Sequence, residues 1–216
     1  MNSNYKSDFL DLVTQNDILQ FGEFTLKSGR ISPYFFNAGR FDHGGLLAAL
    51  AGFYAQCIAQ NIDSDFVLYG PAYKGIPLAA ATAIKLAEDF DKDVPYAFNR
   101  KEAKDHGEGG LIVGAKLEGE VVIIDDVITA GTSIRESVDV IQAQGAKASA
   151  VVIAVDRQER AGEDSRSAVQ AVEDEFGIPV YSIINLDDIV AWSEHSNAVP
   201  DPQAVQAYRE RYGIKQ

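Results

Sequence analysis

Apolar positions along this chain recur with two periods. Over residues 5–20, Phe9, Leu10 and Val13 share one helical stripe, which predicts an amphipathic helix lying as a cover on the main body. Residues 21–41 are richer in aromatic, β-branched and turn residues and read as extended strands joined at Lys27-Ser28-Gly29-Arg30. From there apolar helical stripes at 45–60, 76–89, 165–176, 186–193 and 203–212 are interleaved with short apolar runs at 66–69, 96–98, 121–124, 147–155 and 180–184. Runs such as Val121 to Ile124, β-branched and without alternation, suit strands buried on both faces of a parallel sheet. The alternation predicts an α/β fold, and no repeat, linker or low-complexity stretch divides it. Residues 1–216 are expected to form one domain, with about 1–41 and parts of the C-terminus as a cap.

The run at 121–124 leads into the most informative stretch. Asp125 and Asp126 stand where the strand would emerge, followed by Val127, Ile128 and the small, hydroxyl-rich turn Thr129-Ala130-Gly131-Thr132-Ser133. A helical pattern then starts at Ile134 and continues through Val138 and Ile141. A turn opening a helix offers unpaired N–H groups and the positive end of the helix dipole, which together cradle a phosphate. No Lys follows Gly131, so this is not a P-loop, and no Gly-x-Gly-x-x-Gly dinucleotide fingerprint is present. Paired acids directly before a phosphate loop suit a sugar phosphate, whose vicinal hydroxyls donate to the acids while the loop takes the phosphate.

Charge changes the picture. The formal net charge of −13 sets up a field that repels nucleic acid and any small polyanion alike. A protein of this charge that binds a phosphorylated sugar must concentrate cations locally or recruit a divalent metal. Local concentrations do occur. Lys27, Arg30 and Arg40 lie beside Phe35 and Phe36, a combination suited to a flat heterocyclic acid. Lys74 sits in Gly70-Pro71-Ala72-Tyr73-Lys74-Gly75, at another strand's carboxyl end, where glycines permit close approach and Lys supplies charge for a diphosphate. Residues 99–110 carry Arg100, Lys101, Lys104 and His106 and end in glycines, so they read as a mobile loop that closes over a polyphosphate. Arg157 follows the 147–155 strand and is placed to fork a carboxylate. The lone cysteine, Cys57, reads as a packed thiol suited to a reducing cytoplasm, and no apolar run reaches transmembrane length. Residues 1–15 lack the basic start and unbroken apolar core of a signal peptide.

The 121–133 stretch resembles the signature of the type I phosphoribosyltransferases, which use 5-phosphoribosyl-1-diphosphate (PRPP). Five segments, FTLKSGRISPYFFNAG, GPAYKGIP, FNRKEAKDHGEGG, VVIIDDVITAGTS and VDRQER, resemble in the same order the orotate-specific members of that family. The resemblance implies a Rossmann-like parallel-sheet core with a small N-terminal hood, and transfer of ribose 5-phosphate to N1 of orotate in pyrimidine synthesis. It implies that Asp125 and Asp126 hold the ribose hydroxyls and favour its cationic character, that residues from Val127 to Ser133 bind the 5-phosphate side, and that Lys27, Tyr73, Lys74, Arg100 and Lys101 contact PRPP. Lys104 and His106 are implied as catalytic beside the two acids. Phe35, Phe36, Thr129 and Arg157 are implied to bind orotate. It further implies Mg²⁺ carried mainly by PRPP near Asp125 and Asp126, with no direct protein metal site, and a homodimer in which Lys101, Lys104 and His106 act across the interface. Two rivals remain open to the sequence: a phosphoribosyltransferase for another base, and a non-catalytic PRPP sensor.

Overall fold

The structure is a computed structural model that describes residues 5–26, 28–104, 110–160 and 165–214, with the side chains of Ala103 and Lys104 outside that description. Helix α1 (Tyr5–Gln15) leads into an antiparallel pair, β1 (Leu19–Thr25) and β2 (Ile31–Phe36), followed by a 3-10 turn at Ala38–Arg40. The body then alternates α2 (Gly44–Asn61), β3 (Val67–Gly70), α3 (Gly75–Phe90), β4 (Tyr96–Lys104), β5 (Gly110–Gly114), β6 (Glu120–Ile124), α4 (Thr132–Ala143), β7 (Lys147–Asp156), α5 (Ala168–Phe176) and β8 (Val180–Asn185). Helices α6 (Leu186–Ser193) and α7 (Pro202–Tyr212) close the described chain.

The main sheet has the order β5-β4-β3-β6-β7-β8 and is parallel except for β5, which pairs antiparallel with β4 at one edge. This is the parallel α/β sheet that the alternation predicts. Successive strand residues point to opposite faces, so one run of apolar residues serves two cores. Val122 and Ile124 join Leu68, Val152 and Ala154 against α2 and α3, whereas Val121 and Ile123 join Val67, Val151 and Ile153 against α4 and α5. All four residues from Val121 to Ile124 are fully buried, each contributing about 1.5–3 kcal/mol of transfer free energy. Helix α4 buries Ile134, Val138 and Ile141, one stripe at helical spacing. Cys57 is buried in α2, where loss of hydration pushes its thiol up to about 12. No helix among the described residues is long and apolar enough to cross a membrane.

Chain order places the site. From β3 the chain runs outward to β4 on one side, while β6, next in the parallel set, returns to the other side of β3. The loops after β3 and β6 therefore diverge at the strands' carboxyl ends and leave a crevice between them, the place where open α/β sheets bind ligands.

Two elements differ from the periodicity. The first helix stops at Gln15, not 20, because Asn16 turns its side-chain amide back onto the Leu12 carbonyl and Asp17 takes a left-handed backbone (φ 53°). Leu19 and Gln20 then open β1. The segment 99–110, expected to be a loop from residue 99 onward, instead extends β4 through Lys104, laddered against β5. The polar side chains of Asn99, Arg100, Lys101 and Glu102 stand on the edge pair of β4 and β5, where pairing needs no apolar core.

Candidate active site

Strand β6 delivers Asp125 and Asp126 into the crevice. The backbone stays tied to β7 past the strand's end, with Asp125 N–H donating to the Val152 carbonyl (3.1 Å) and Ala154 N–H donating to the Asp126 carbonyl (2.9 Å). The two side chains are therefore rigidly aimed. Asp125 Oδ1 accepts from Asp126 N–H (2.9 Å) and Oδ2 from the Ser133 hydroxyl (2.9 Å), while Tyr54 in α2 donates its hydroxyl to the Asp125 carbonyl (2.8 Å). Burial, reinforced by the charge of Asp126, pushes the Asp125 carboxyl up to about 6, against the lowering effect of those donors. Tyr54, fully buried beside both acids, is raised well above the ordinary tyrosine range and stays a neutral donor.

Asp126 faces across the crevice. Its Oδ1 accepts from Val127 N–H (2.9 Å), and its Oδ2 lies 2.6 Å from Lys74 Nζ. Lys74 belongs to the loop after β3 and keeps 65% of its side chain exposed, so the crevice presents a cation whose charge is balanced by an acid until a ligand arrives. The turn that brings Lys74 there depends on its glycines. A Cβ on Gly70 would lie 2.0 Å from the Gly75 carbonyl oxygen, and a Cβ on Gly75 would lie 2.6 Å from the Gly70 carbonyl carbon. Asn99 in β4 accepts from Ala72 N–H (2.9 Å), and the Ala72–Tyr73 peptide is cis. Tyr73 is exposed, with Lys101 Nζ 5.2 Å above its ring. Arg100 donates to the Gly110 carbonyl (3.3 Å).

After Asp126 the chain turns into α4 through residues 127–131. Val127 bridges to Val155 and Ile128 is buried, so these two offer backbone rather than side chain. Thr129, Ala130, Thr132 and Ser133 are exposed around Gly131, which has φ 74° and caps α4 without any side-chain capping bond. The first-turn N–H groups of α4 are thus left for a ligand.

The residues expected to meet the base sit elsewhere. Successive positions of β2 place Phe35 and Phe36 on opposite faces: Phe35 is exposed and stacks on Phe24 (5.6 Å), while Phe36 packs toward Phe41 (6.4 Å) and the core. Arg157, just after β7, lies 5.1 Å over the Tyr34 ring and gives Nε and Nη2 to Glu159 Oε1 (2.9 and 2.6 Å). Glu159 also accepts from the Tyr34 hydroxyl (3.3 Å), and its second oxygen is 3.8 Å from Arg30. Two guanidiniums share one carboxylate, which leaves one surplus positive charge for an anionic ligand. Tyr34, Asn99, Arg135 and Glu159 were not singled out from the sequence; only the acid between basic residues in Arg157-Gln158-Glu159-Arg160 hinted at an internal pair. Lys27 and His106, and the side chain of Lys104, lie outside the described residues.

A family model for the phosphoribosyl transferase domain matches residues 41–183. The orotate phosphoribosyltransferase of Pseudomonas aeruginosa PAO1 is 57% identical over 212 residues, covering 97% of this chain and 99% of the relative. That of Thioalkalivibrio sulfidiphilus is 56% identical over 211 residues, covering 97% and 99%. The chain belongs to the orotate phosphoribosyltransferases. The crystal structure of the orotate phosphoribosyltransferase of Francisella tularensis superposes with a TM-score of 0.87 at 43% identity, covering 95% of this chain and 99% of that one. The general domain match begins after β2 and ends within β8, so it holds the paired acids and the phosphate cradle but neither Phe35 nor α7. The orotate phosphoribosyltransferase relatives extend the likeness over the hairpin and the C-terminal helices as well.

Proposed function

We propose that this chain transfers the 5-phosphoribosyl group of PRPP to N1 of orotate, giving orotidine 5′-monophosphate and pyrophosphate in pyrimidine synthesis. One observation carries the reading: Asp125, Asp126 and the 129–133 cradle stand at one wall of the crevice, with Lys74 across it at 2.6 Å from Asp126. That spacing suits a ligand with a phosphate at one end, vicinal hydroxyls in the middle and a diphosphate at the other.

In the reaction the bond from the anomeric carbon to the diphosphate oxygen breaks, and its electron pair leaves with pyrophosphate. The N1 electron pair of orotate forms the new bond as the N1 proton is released. Positive charge develops on the ribose ring, and Asp125 and Asp126 stabilise it while accepting from the 2- and 3-hydroxyls. Negative charge develops on the leaving group, and Lys74, Arg100, Lys101, Lys104 and His106 offset it, with Lys27 and Tyr73 completing the PRPP contacts. The N–H groups from Val127 to Ser133, with the Thr129, Thr132 and Ser133 hydroxyls, hold the 5-phosphate. Arg157 takes the orotate carboxylate, with Thr129, the exposed ring of Phe35 and the backbone of Phe36 placing the base, since the two rings stand on opposite faces of β2. Arg157 brings this about with its guanidinium already oriented by Glu159.

The donor set fits Mg²⁺ brought in by the substrate. Among the described residues no group of three or more metal-ligating side chains exists. Both Asp125 oxygens and Asp126 Oδ2 already meet protein donors, so a Mg²⁺ ion would be carried mainly by PRPP and would lie near the two acids. When bound, it supplies charge neutralisation for the departing pyrophosphate. The protein acts as a homodimer, Lys101, Lys104 and His106 reaching into the partner's site, with the hairpin, α1 and α7 as the hood of a single domain. Cys57, buried and reduced, suits a cytoplasmic enzyme.

The test is the absorbance of orotate mixed with PRPP, Mg²⁺ and protein. Consumption that requires all three additions is expected. PRPP binding without orotate consumption would overturn the choice of base.

A further inference from the structure

The cradle has a support that lies outside it. Arg135, in the first turn of α4, donates Nη1 to the Ala130 carbonyl at 2.7 Å. Its Nε donates to both oxygens of Glu175 (3.0 and 2.9 Å), and its Nη2 lies 2.7 Å from Glu175 Oε2. Glu175 sits in the last turn of α5, a helix anchored by a Ser167–Gln170 capping box and ended by Gly177 in the left-handed region. The same helix lies under the cradle, since a Cβ on Gly131 would meet Val172 Cγ2 at 3.1 Å and Arg135 Nη1 at 3.2 Å. Helix α5 thus acts as a platform, and the Arg135 fork clamps one carbonyl of the cradle to it.

The consequence is directional. In a trans peptide the C=O and the following N–H point opposite ways, and the Ala130–Gly131 peptide is trans. Holding the Ala130 oxygen toward Arg135 aims the Gly131 N–H away from it. Gly131, with φ 74° and no Cβ, is the residue type that would let this peptide rotate freely. A rotated peptide would present a carbonyl oxygen to an anion instead of a donor. We propose that Arg135, itself held by Glu175, is a positioning residue that locks the Ala130–Gly131 peptide with its N–H directed at the 5-phosphate of PRPP. The inference rests on the proposed phosphate role of residues 129–133.

Arg135 and Glu175 each keep 40% of their side chains exposed, and ion pairs this exposed add little to folding stability, so variants should fold. The experiment titrates ribose 5-phosphate and pyrophosphate, each with Mg²⁺, into wild type, Arg135→Ala and Glu175→Gln, alongside KM for both substrates and melting temperature. Arg135→Ala should weaken ribose 5-phosphate binding and raise KM for PRPP about tenfold, the scale of one hydrogen bond to a charged group, with pyrophosphate affinity and KM for orotate within about twofold. Glu175→Gln keeps the cation and loosens the fork; it should move the same quantities in the same direction by about threefold. Unchanged ribose 5-phosphate affinity in Arg135→Ala would overturn the inference. So would an effect of Arg135→Ala unaccompanied by any in Glu175→Gln, which would make Arg135 a distant charge. Equal losses for all ligands together with a lowered melting temperature would make it a packing residue and overturn the inference too. Failure of the functional reading shows separately, as a wild type that binds ribose 5-phosphate but does not consume orotate.

Discussion

The proposed PRPP side and the proposed base side of this site are built in different ways. On the PRPP side the chain bonds mostly to itself over short distances: Asp125 to Ser133, Asp126 to Val127, Arg135 to Ala130. Longer-range bonds support this side from neighbouring elements: Lys74 to Asp126, Ala72 to Asn99, Tyr54 to the Asp125 carbonyl and Arg135 to Glu175. On the base side the local Arg157–Glu159 pair is joined by contacts from distant parts of the sequence. Tyr34 in the hairpin donates to Glu159, and Arg30 donates to the Arg160 carbonyl at 2.9 Å. The C-terminal segment closes the arrangement: Arg160 N–H donates to the Tyr212 carbonyl (2.9 Å) and Ile214 N–H to the Gln158 carbonyl (2.8 Å). The first side is a strand–loop–helix unit that any chain of the wider family can carry in one stretch. The second joins segments near both ends of the chain, which lie outside the 41–183 span of the general domain, to Arg157, Gln158, Glu159 and Arg160 inside it.

If the two sides are separate in function, their variants should fail in different ways. The largest effect is expected from Asp126→Asn, which removes a charge aimed at the developing ribose cation: kcat should fall by about 10²–10³, with KM for orotate little changed. A rise in orotate KM as the main effect would break the separation. Next, Arg157→Ala should raise KM for orotate about thirtyfold, the scale of a lost charge-assisted pair, while KM for PRPP stays within about twofold. Parallel rises in both constants would mean that the network of Arg157, Glu159 and Tyr34 supports the whole crevice rather than the base alone.

The third prediction is a pH dependence confined to the PRPP side. With Asp125 at about 6, falling pH protonates it in the free protein, so KM for PRPP should rise by about tenfold between pH 7 and pH 5. The same shift fixes a sign for stability. The folded state holds this proton up to about pH 6, whereas the unfolded chain gives it up near its ordinary 3.8. Stability from this group is therefore full below about pH 4 and is lost as pH rises through 6. Asp125→Asn should relieve that loss and stabilise the fold at pH 7.5 by roughly 2 kcal/mol, a gain of about 4–8 °C in melting temperature. A variant less stable than wild type at pH 7.5 would show that the donors from Ser133 and Asp126 outweigh burial.

The difference between the two sides also explains what was legible in advance. The acids, the cradle and the glycine-flanked Lys74 were readable because each is a local pattern with one chemical use. The helix expected over 5–20 was cut short by Asn16 and Asp17, a local bond and a backbone twist that periodicity does not register. Periodicity reads the polar segment from Asn99 onward as a loop for want of apolar residues, yet β4 continues through Lys104, pairing with β5 at Asn99 and again at Lys104 across an irregularity. Arg157 is readable as a cation at a strand's end, and Glu159 two positions on is a local hint of its partner, but no local pattern says that Tyr34 and Arg30 join the same carboxylate. Phe35 and Phe36 looked like a matched pair until the pleat of β2 separated them.

By itself, the sequence determined the alternation of strands and helices, the paired acids, and the turn that leaves amides open to a phosphate. Those properties follow from spacing and residue type within some ten or fifteen positions, the range over which the backbone enforces geometry. Only the tertiary structure decided that the loops after β3 and β6 face each other across a crevice, and that Arg30, Tyr34, Arg157 and Glu159 form one network. It likewise decided that α5 stands beneath the cradle. Those arrangements depend on the order of strands in the sheet and on burial that brings distant segments into contact, and no local pattern specifies either.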